Sequence, residues 1–405
     1  MKFDAMDIEP VVLSNIAALG YRRTTDIQYK AIPHILQSDD ILAIAQTGTG
    51  KTAAFAIPAV CNLMRRKRRR DYDGVRCVVM EPTHELASQV ADVFRSLVKQ
   101  TGVSVVAVYG GVEQDKQIAL LRGGVDIVVA TPGRLFDLAS QGHLILSGVE
   151  MLIVDEADQM LALGFYNDIR SLTARIPRRR QTLFFSATID QQIKDLAYSL
   201  VYKAVRIEMS RNKVARNVTH QVLPVEKDQK RFFLERIASE NPEGHIMVFV
   251  RTQVRAQRVA AAMERVGIRS VFLHGGLSQK ERTAALDAFR SGEVNMIITT
   301  DVAARGIDIP QVSYVVNYDV PEVAENYIHR VGRTGRGMDK GYALTLVDPS
   351  EEALIDQIEK YMDEQISLLR MDKTEREATL DLSADGSADW RSLLDEEDKP
   401  RKKRK

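Results

Sequence analysis

Cysteine is nearly absent from these 405 residues: there are two, Cys61 and Cys77, and their spacing suits no metal. A disulfide framework is therefore excluded, and the pair reads as buried thiols of a reducing compartment. No apolar run approaches the ~18 residues that a membrane-spanning helix needs. The opening Met1-Lys2-Phe3-Asp4 is not a basic stretch followed by an apolar one, so no secretory leader is expected. A cytoplasmic protein without membrane contact is the expectation. Charge of one sign is lacking too: the formal net charge is +1, so any nucleic-acid binding must come from local patches. What is plentiful is apolar residues, 45% of the chain, enough for packed cores. The length suggests two or three domains at roughly 100–200 residues each.

Short apolar runs alternate with longer helical patterns. In the first half they are Ile41–Ala45, Val75–Met80, Val105–Val108, Asp126–Ala130, Met151–Val154 and Thr182–Phe185. Nearly continuous Val and Ile is how strands covered on both faces read, and strand alternating with helix implies a parallel α/β sheet. The second half repeats the rhythm with Ile246–Val250, Ser270–Leu273, Met296–Thr299, Ser313–Asn317 and Tyr342–Val347. Between the halves, residues 209–217 are polar and aperiodic. The chain is expected to hold two α/β domains in tandem, at 1–208 and 218–365, joined by that linker. From 366 to 405 a mobile charged tail is expected: residues 371–400 hold ten acidic and four basic side chains, too little to fold on.

Two motifs carry chemistry. Ala45-Gln46-Thr47-Gly48-Thr49-Gly50-Lys51-Thr52 follows a strand and opens a helix. Glycines at 48 and 50 let the backbone approach phosphate oxygens, and the helix aims its first amides at the anion. Lys51 is placed to neutralise the β- and γ-phosphates of a nucleotide, and Thr52 to offer a hydroxyl to Mg²⁺. Asp155-Glu156-Ala157-Asp158 ends the apolar run Met151–Val154. Asp155 is expected to hold Mg²⁺ through its waters, and Glu156 to orient and activate the attacking water, since phosphoryl transfer needs mainly positioning and charge neutralisation.

These letters, together with the motifs that follow, resemble the DEAD-box ATP-dependent RNA helicases of superfamily 2, in a bacterial-type form. The resemblance runs from about Phe3 to Val347 and implies two RecA-like domains. Leu19-Gly20-Tyr21 with Thr25, Ile27 and Gln28 is similar to the family's adenine-reading Q motif, although Thr24 and Asp26 stand where prolines are usual. It implies that Gln28 reads the adenine edge, that Tyr21 lines the site and that Phe3 stacks on the base. Glu81-Pro82-Thr83-His84-Glu85-Leu86-Ala87 resembles an RNA-backbone motif in which arginine is usual at the place of His84. A mostly uncharged His84 implies one weakened phosphate contact. Gly110-Gly111 and Thr131-Pro132-Gly133-Arg134 match two further RNA elements, and Ser186-Ala187-Thr188 matches the motif that couples ATP to RNA opening.

In the second half, Arg251, Gln279, Arg282 and Thr300 occupy places that the resemblance gives to RNA contacts, and Asp308 one that meets the ATP ribose. His329-Arg330-Val331-Gly332-Arg333-Thr334-Gly335-Arg336 implies arginine fingers at Arg333 and Arg336, worth roughly 10³–10⁵ in rate. His329 is implied to link with Ser186 or Asp158. The family's activity is RNA-stimulated ATP hydrolysis with local, non-processive unwinding by a monomer, on backbone contacts that carry little sequence preference. Ribosomal or RNA-processing proteins are possible partners. Two basic runs lie outside the motifs: Arg65–Arg70 fits a second RNA patch and a solvated loop equally, and Arg401–Lys405 fits a tether.

Overall fold

Apolar runs without polar interruption become strands here because helices cover them on both faces. A computed structural model of the chain describes residues 1–46, 48–66, 74–209, 217–304, 312–335 and 340–381. The residues 67–70 of the first basic run, most of the linker, Trp390 and the basic end lie outside the described residues. The described residues fall into two compact units, one within 1–209 and one from 217 onward.

The first unit holds β1 (Ile41–Ile44), β2 (Cys77–Met80), β3 (Val105–Val108), β4 (Ile127–Ala130), β5 (Met151–Val154), β6 (Gln181–Ser186) and β7 (Val205–Glu208). All pair in parallel, in the order β3-β4-β2-β5-β6-β1-β7. The strand period of two divides the core. Ile41, Ala43, Val79 and Ile153 pack on one face with the helices Asp26–Leu36, Lys51–Arg65 and His84–Leu97. Leu42, Ile44, Met80 and Val154 pack on the other, with Leu135, Ile169 and Leu196 of later helices. Phe55 anchors the first face, its ring 5.4 Å from that of Phe185 and 6.2 Å from that of Phe94.

The second unit holds β8 (Val218–Pro224), β9 (His245–Phe249), β10 (Ser270–Leu273), β11 (Met296–Thr299), β12 (Val312–Asn317), β13 (Gly341–Val347) and β14 (Ser367–Leu368). Its order is β10-β11-β9-β12-β13-β8-β14, again parallel throughout. Subtracting seven from each label reproduces the first order, so the two sheets share one topology.

The structure corrects the expected tail. Residues 366–381 are not a loose extension: β14 adds to the edge of β8, and the helix Lys373–Asp381 packs on the helix Lys230–Glu240. Leu369, Met371 and Leu380, partly buried, pack against the core, and Arg236 donates to the buried Thr379 Oγ1 at 2.8 Å. A sparse apolar pattern is sufficient because the open edge of β8 supplies backbone partners that no composition count registers. A chain ended after Gln365 should therefore melt on the order of 5 °C below one ended after Asp381, since about 2 kcal/mol of apolar burial goes with the segment. Paired thermal melts check this, and equal midpoints would show the segment to be a passenger.

Candidate nucleotide and nucleic-acid sites

Parallel sheets place ligands beyond the C-terminal ends of their strands. In the first unit the expected site residues follow that rule. Gly48–Thr52 succeed β1, Asp155–Asp158 succeed β5, and Ser186 and Thr188 close and follow β6. Pro82–His84 succeed β2, Thr131–Arg134 succeed β4, and Gly110–Gly111 succeed β3. The sheet order thus puts the three nucleotide-type loops side by side and the three nucleic-acid-type loops beside them, with β2 next to β5 at the border.

The phosphate-loop backbone is left-handed at Gly48 (φ 79°) and at Gly50 (φ 91°), which caps the helix Lys51–Arg65. The φ of Gly50 strains any side chain placed there, and a Cβ would also lie 2.6 Å from Gln28 Nε2 and displace it. Gln28 is buried; its Nε2 donates to the Gly50 carbonyl at 3.1 Å and its Oε1 accepts from Thr25 N–H at 2.9 Å. The Q-like segment therefore braces the loop directly. Thr49 Oγ1 donates to the Gln46 carbonyl at 2.7 Å and closes the turn.

Lys51 is the centre. Its side chain is 4% exposed, its Nζ donates to Glu156 Oε1 at 2.6 Å, and it stands 3.7 Å from Asp155 Oδ1. Burial opposes the charge on Lys51, but the carboxylates of Glu156 and Asp155 outweigh it and push the amine above its usual range. Glu156 sits at φ 48°, ψ 47°, a left-handed conformation that costs a non-glycine residue about 1–2 kcal/mol. The abrupt turn brings both carboxylates to one cation; Asp155 Oδ1 also accepts from Glu156 N–H at 2.9 Å, and Gln159 Nε2 donates to Glu156 Oε2 at 3.3 Å. Burial raises Asp155 to about 7, with Lys51 opposing and Glu156 adding to the shift. Burial and the charge of Glu156 raise Asp158 to about 6.

Other residues divide by setting. Phe3 lies in the hydrophobic core at 4% exposure, so a stacking role would require its short 3-10 turn to open; Tyr21 is exposed. Thr47 lies outside the described residues. Thr83 caps the helix His84–Leu97 by accepting from Leu86 N–H, and His84 Nε2 lies 2.9 Å from Glu85 Oε1, its ring 5.7 Å from that of Tyr109. Gly111 is left-handed at φ 80°, and nothing stands within 4 Å of a Cβ built at Gly110 or Gly133. Thr131 precedes the helix Pro132–Ser140, and Arg134 donates to Gln117 Oε1 at 3.1 Å. Ser186 is buried, with no partner for its Oγ among the described residues.

In the second unit Arg251 follows β9, Gln279 and Arg282 lie on the helix after β10, and Thr300 follows β11. His329 belongs to the helix Ala324–Val331, just before Arg333. Asp308 and Arg336 lie outside the described residues. Arg251 donates to Glu351 Oε1 at 3.0 Å and stands 3.4 Å from Glu322, so a phosphate must compete with two carboxylates for it. Arg333 Nε donates to the His329 carbonyl at 3.2 Å. Sequence reasoning gave Arg330 no role. It is 2% exposed, bonds both oxygens of Asp301 at 2.6 and 2.8 Å and also reaches Asn317 and the Asp319 carbonyl. It fixes the helix that carries His329 to the ends of β11 and β12. Its partner Asp301, 29 residues away, leaves no local signal.

The cluster around Lys51 is poised to exchange protons. Burial favours the neutral acid at Asp155 in the ligand-free chain, with Lys51 opposing. A cation at its oxygens reverses that preference, so binding of a Mg²⁺-nucleotide should release protons at pH 7 and almost none at pH 9. Calorimetry in two buffers of different ionisation enthalpy reads the sign; proton uptake, or none, would mean that Asp155 is already ionised.

Comparison with known proteins bears on this geometry. Residues 25–196 match the family model described as DEAD/DEAH box helicase, and residues 226–338 the Helicase conserved C-terminal domain. An ATP-dependent RNA helicase DBP3 of Meyerozyma guilliermondii is 38% identical over 87% of this chain and 66% of its own length. An ATP-dependent RNA helicase DeaD of Buchnera aphidicola is 36% identical over 93% of this chain and 62% of its own length. The chain thus spans about two thirds or less of these relatives, which are a yeast and a bacterial protein and single out no bacterial type. A solved structure of S. cerevisiae Dbp5 bound to RNA and ADP BeF3 matches with a TM-score of 0.82 and 30% identity, over 94% of this chain and 99% of that one. Both family models fall on the parallel sheets that carry the loops described above, and the chain belongs to the DEAD-box helicase family.

Proposed function

We propose that this chain is an ATP-dependent RNA helicase, an RNA-stimulated ATPase that couples ATP binding and hydrolysis to local, non-processive unwinding or remodelling of RNA. The observation that carries the reading is the buried Lys51 held by Glu156 and Asp155 at the mouth of a left-handed glycine loop. Without ligand the cation and the two carboxylates satisfy one another. Phosphate oxygens compete for Lys51, and a Lys51 that turns to them frees Glu156 to accept a hydrogen bond from the attacking water. Asp155 and Thr52 would hold Mg²⁺, and the donor set fits: hard oxygen ligands in a pocket where carboxylates outnumber the one lysine. When bound, Mg²⁺ neutralises phosphate charge. Gln28 selects adenine through an amide that offers one donor and one acceptor, Asp308 takes the ribose, and Arg333 and Arg336 add positive charge to the transferring phosphoryl group.

RNA is taken by its backbone at Thr83, His84, Gly110, Gly111, Thr131, Gly133 and Arg134 in the first unit. Arg251, Gln279, Arg282 and Thr300 take it in the second. Glycines open to a close approach and an arginine suit phosphates rather than base edges. Ser186, Thr188, His329 and Asp158 couple the two ligands, whose mutual effect on affinity must be reciprocal. The protein acts as a cytoplasmic monomer with ribosomal or RNA-processing partners. Among the described residues no helix is long and apolar enough to cross a membrane.

The test is steady-state ATP hydrolysis with single-stranded RNA or DNA of equal length. Stimulation by RNA alone is expected; equal stimulation by both would point to a nucleic-acid translocase instead. Glu156→Gln should keep ATP and RNA binding while lowering turnover about 10²–10⁴-fold; undiminished turnover would remove Glu156 from the reaction. His84→Arg should tighten RNA binding and steepen its salt dependence by about 0.7 in log–log slope, one phosphate contact on a single strand. An unchanged slope would place His84 away from the backbone.

A further inference from the structure

Glu81 follows β2 as Asp155 follows β5. These strands are parallel neighbours with Met80 beside Val154, and Asp155 N–H donates to the Met80 carbonyl at 3.1 Å. Glu81 and Asp155 therefore stand side by side. Cys77 and Val79, like Met151 and Ile153, face the core beneath the helix Lys51–Arg65, and the strand alternation carries Glu81 and Asp155 toward that same face. Lys51 heads this helix. Glu81 is 0% exposed, and neither carboxylate oxygen has a hydrogen-bond partner among the described residues. It lies close enough to Asp155, Glu156 and Lys51 to interact electrostatically with all three.

A buried carboxyl with no partner is costly, and a small apolar side chain would fill the place at less cost. Among the described residues the cation that interacts with Glu81 is Lys51, already held by Glu156 and Asp155. Burial and the neighbouring charges of Asp155 and Glu156 push the Glu81 carboxyl well above the usual carboxylate range, with Lys51 opposing, and its own amide is committed to a strand ladder: Glu81 N–H donates to the Ala130 carbonyl at 2.9 Å.

We propose that Glu81 is a third carboxylate of the nucleotide–metal site, a positioning residue that accepts hydrogen bonds from water in the shell of the Mg²⁺ held by Asp155 and Thr52. The proposal rests on the reading of the loop as a nucleotide site. Mg²⁺ dehydrates reluctantly and keeps several waters, whose protons need acceptors. Outer carboxylates that take those protons fix the orientation of the inner ligands, and their loss commonly costs 10–100-fold in metal affinity. Glu81 also adjoins Pro82, Thr83 and His84, so the order it imposes at the metal reaches the first residues assigned to RNA.

The experiment titrates Mg²⁺ against the full chain in the presence of a fluorescent ADP analogue, for the wild type, Glu81→Gln and Glu81→Ala. Thermal melts are run in parallel with chelator and no nucleotide. Both variants should need about 10-fold more Mg²⁺ for half-maximal nucleotide binding. Their ligand-free midpoints should equal or exceed that of the wild type, because a buried unpartnered carboxyl has been removed. Unchanged or lower Mg²⁺ requirements in both variants, whatever their midpoints, overturn the proposal and leave Glu81 as a core residue. If Glu81→Ala melts lower, the near-isosteric Glu81→Gln decides. A wild type that binds no nucleotide at any Mg²⁺ concentration overturns the site reading and this proposal together, whereas normal wild-type binding with indifferent variants removes Glu81 alone.

Discussion

The burial of Lys51 is the constraint on which the first unit turns. An ammonium at 4% side-chain exposure is tolerable only if carboxylates meet it, and removing one partner of such a pair typically costs about 3–5 kcal/mol. Those carboxylates must come from the end of β5, across β6 from the strand that carries the lysine loop. The chain must then turn at once, which explains the left-handed backbone at Glu156, and the loop must do the same at Gly50 before its helix starts. Two left-handed positions thus serve one ion pair, and only the one at Glu156 carries strain. The pair is also self-limiting in a useful way. While Lys51 holds Glu156, one lone pair of Oε1 is occupied, and on the proposed reading an anion that competes for Lys51 would release it.

Topology turns this local pairing into a site. All strands of each sheet run in parallel, so every loop that follows a strand opens on the same edge. The order then sorts the loops: β1, β6 and β5 bring the phosphate loop, Ser186 and the carboxylates together, while β2, β4 and β3 bring His84, Arg134 and the glycine pair together. Short N–H to carbonyl bonds carry the ladders past the strand ends, from Ala45 to Ser186, Asp155 to Met80, Glu81 to Ala130 and Thr131 to Val108. The loop bases are therefore held as firmly as the strands. In the second unit the buried Arg330 plays the corresponding part, tying the ends of β11 and β12 to the helix before Arg333.

Much of this was legible in the sequence, for a physical reason. Strands covered on both faces must be apolar throughout, and eleven such runs stand out without any knowledge of their partners. The strands that escaped notice are those where the rule relaxes. β7, Val-Arg-Ile-Glu, lies at a sheet edge and alternates buried with exposed. β8 opens with Val-Thr-His-Gln and borders the two-residue β14. The tail beyond 365 misled for a related reason, since its order comes from a borrowed edge rather than its own apolar content. At the site, Lys51, Asp155 and Glu156 were readable because glycines and a strand-end carboxylate pair announce themselves locally. Glu81 was not, because a single glutamate after an apolar run gains meaning only when β2 is known to lie beside β5. Phe3 shows the converse: the resemblance gives it a ligand role, while its burial at 4% depends on packing that no motif encodes.

Gln28 draws these threads together. One donor and one acceptor of its amide are engaged, with the Nε2 on the Gly50 carbonyl and the Oε1 on Thr25 N–H. A base that displaced either bond would have to replace it in a buried setting, where an unpaired donor or acceptor costs about 1–3 kcal/mol. On the proposed reading, an edge that presents one donor and one acceptor in the right sense would satisfy the amide, and that would be the basis of discrimination between purines. The same exchange frees the Gly50 carbonyl, one residue before Lys51. On the proposed reading, recognition of the base and movement of the loop would be coupled through these hydrogen bonds. This coupling does not require the prolines that Thr24 and Asp26 replace: Thr25 caps its helix through the box with Gln28, and that cap holds the segment in place.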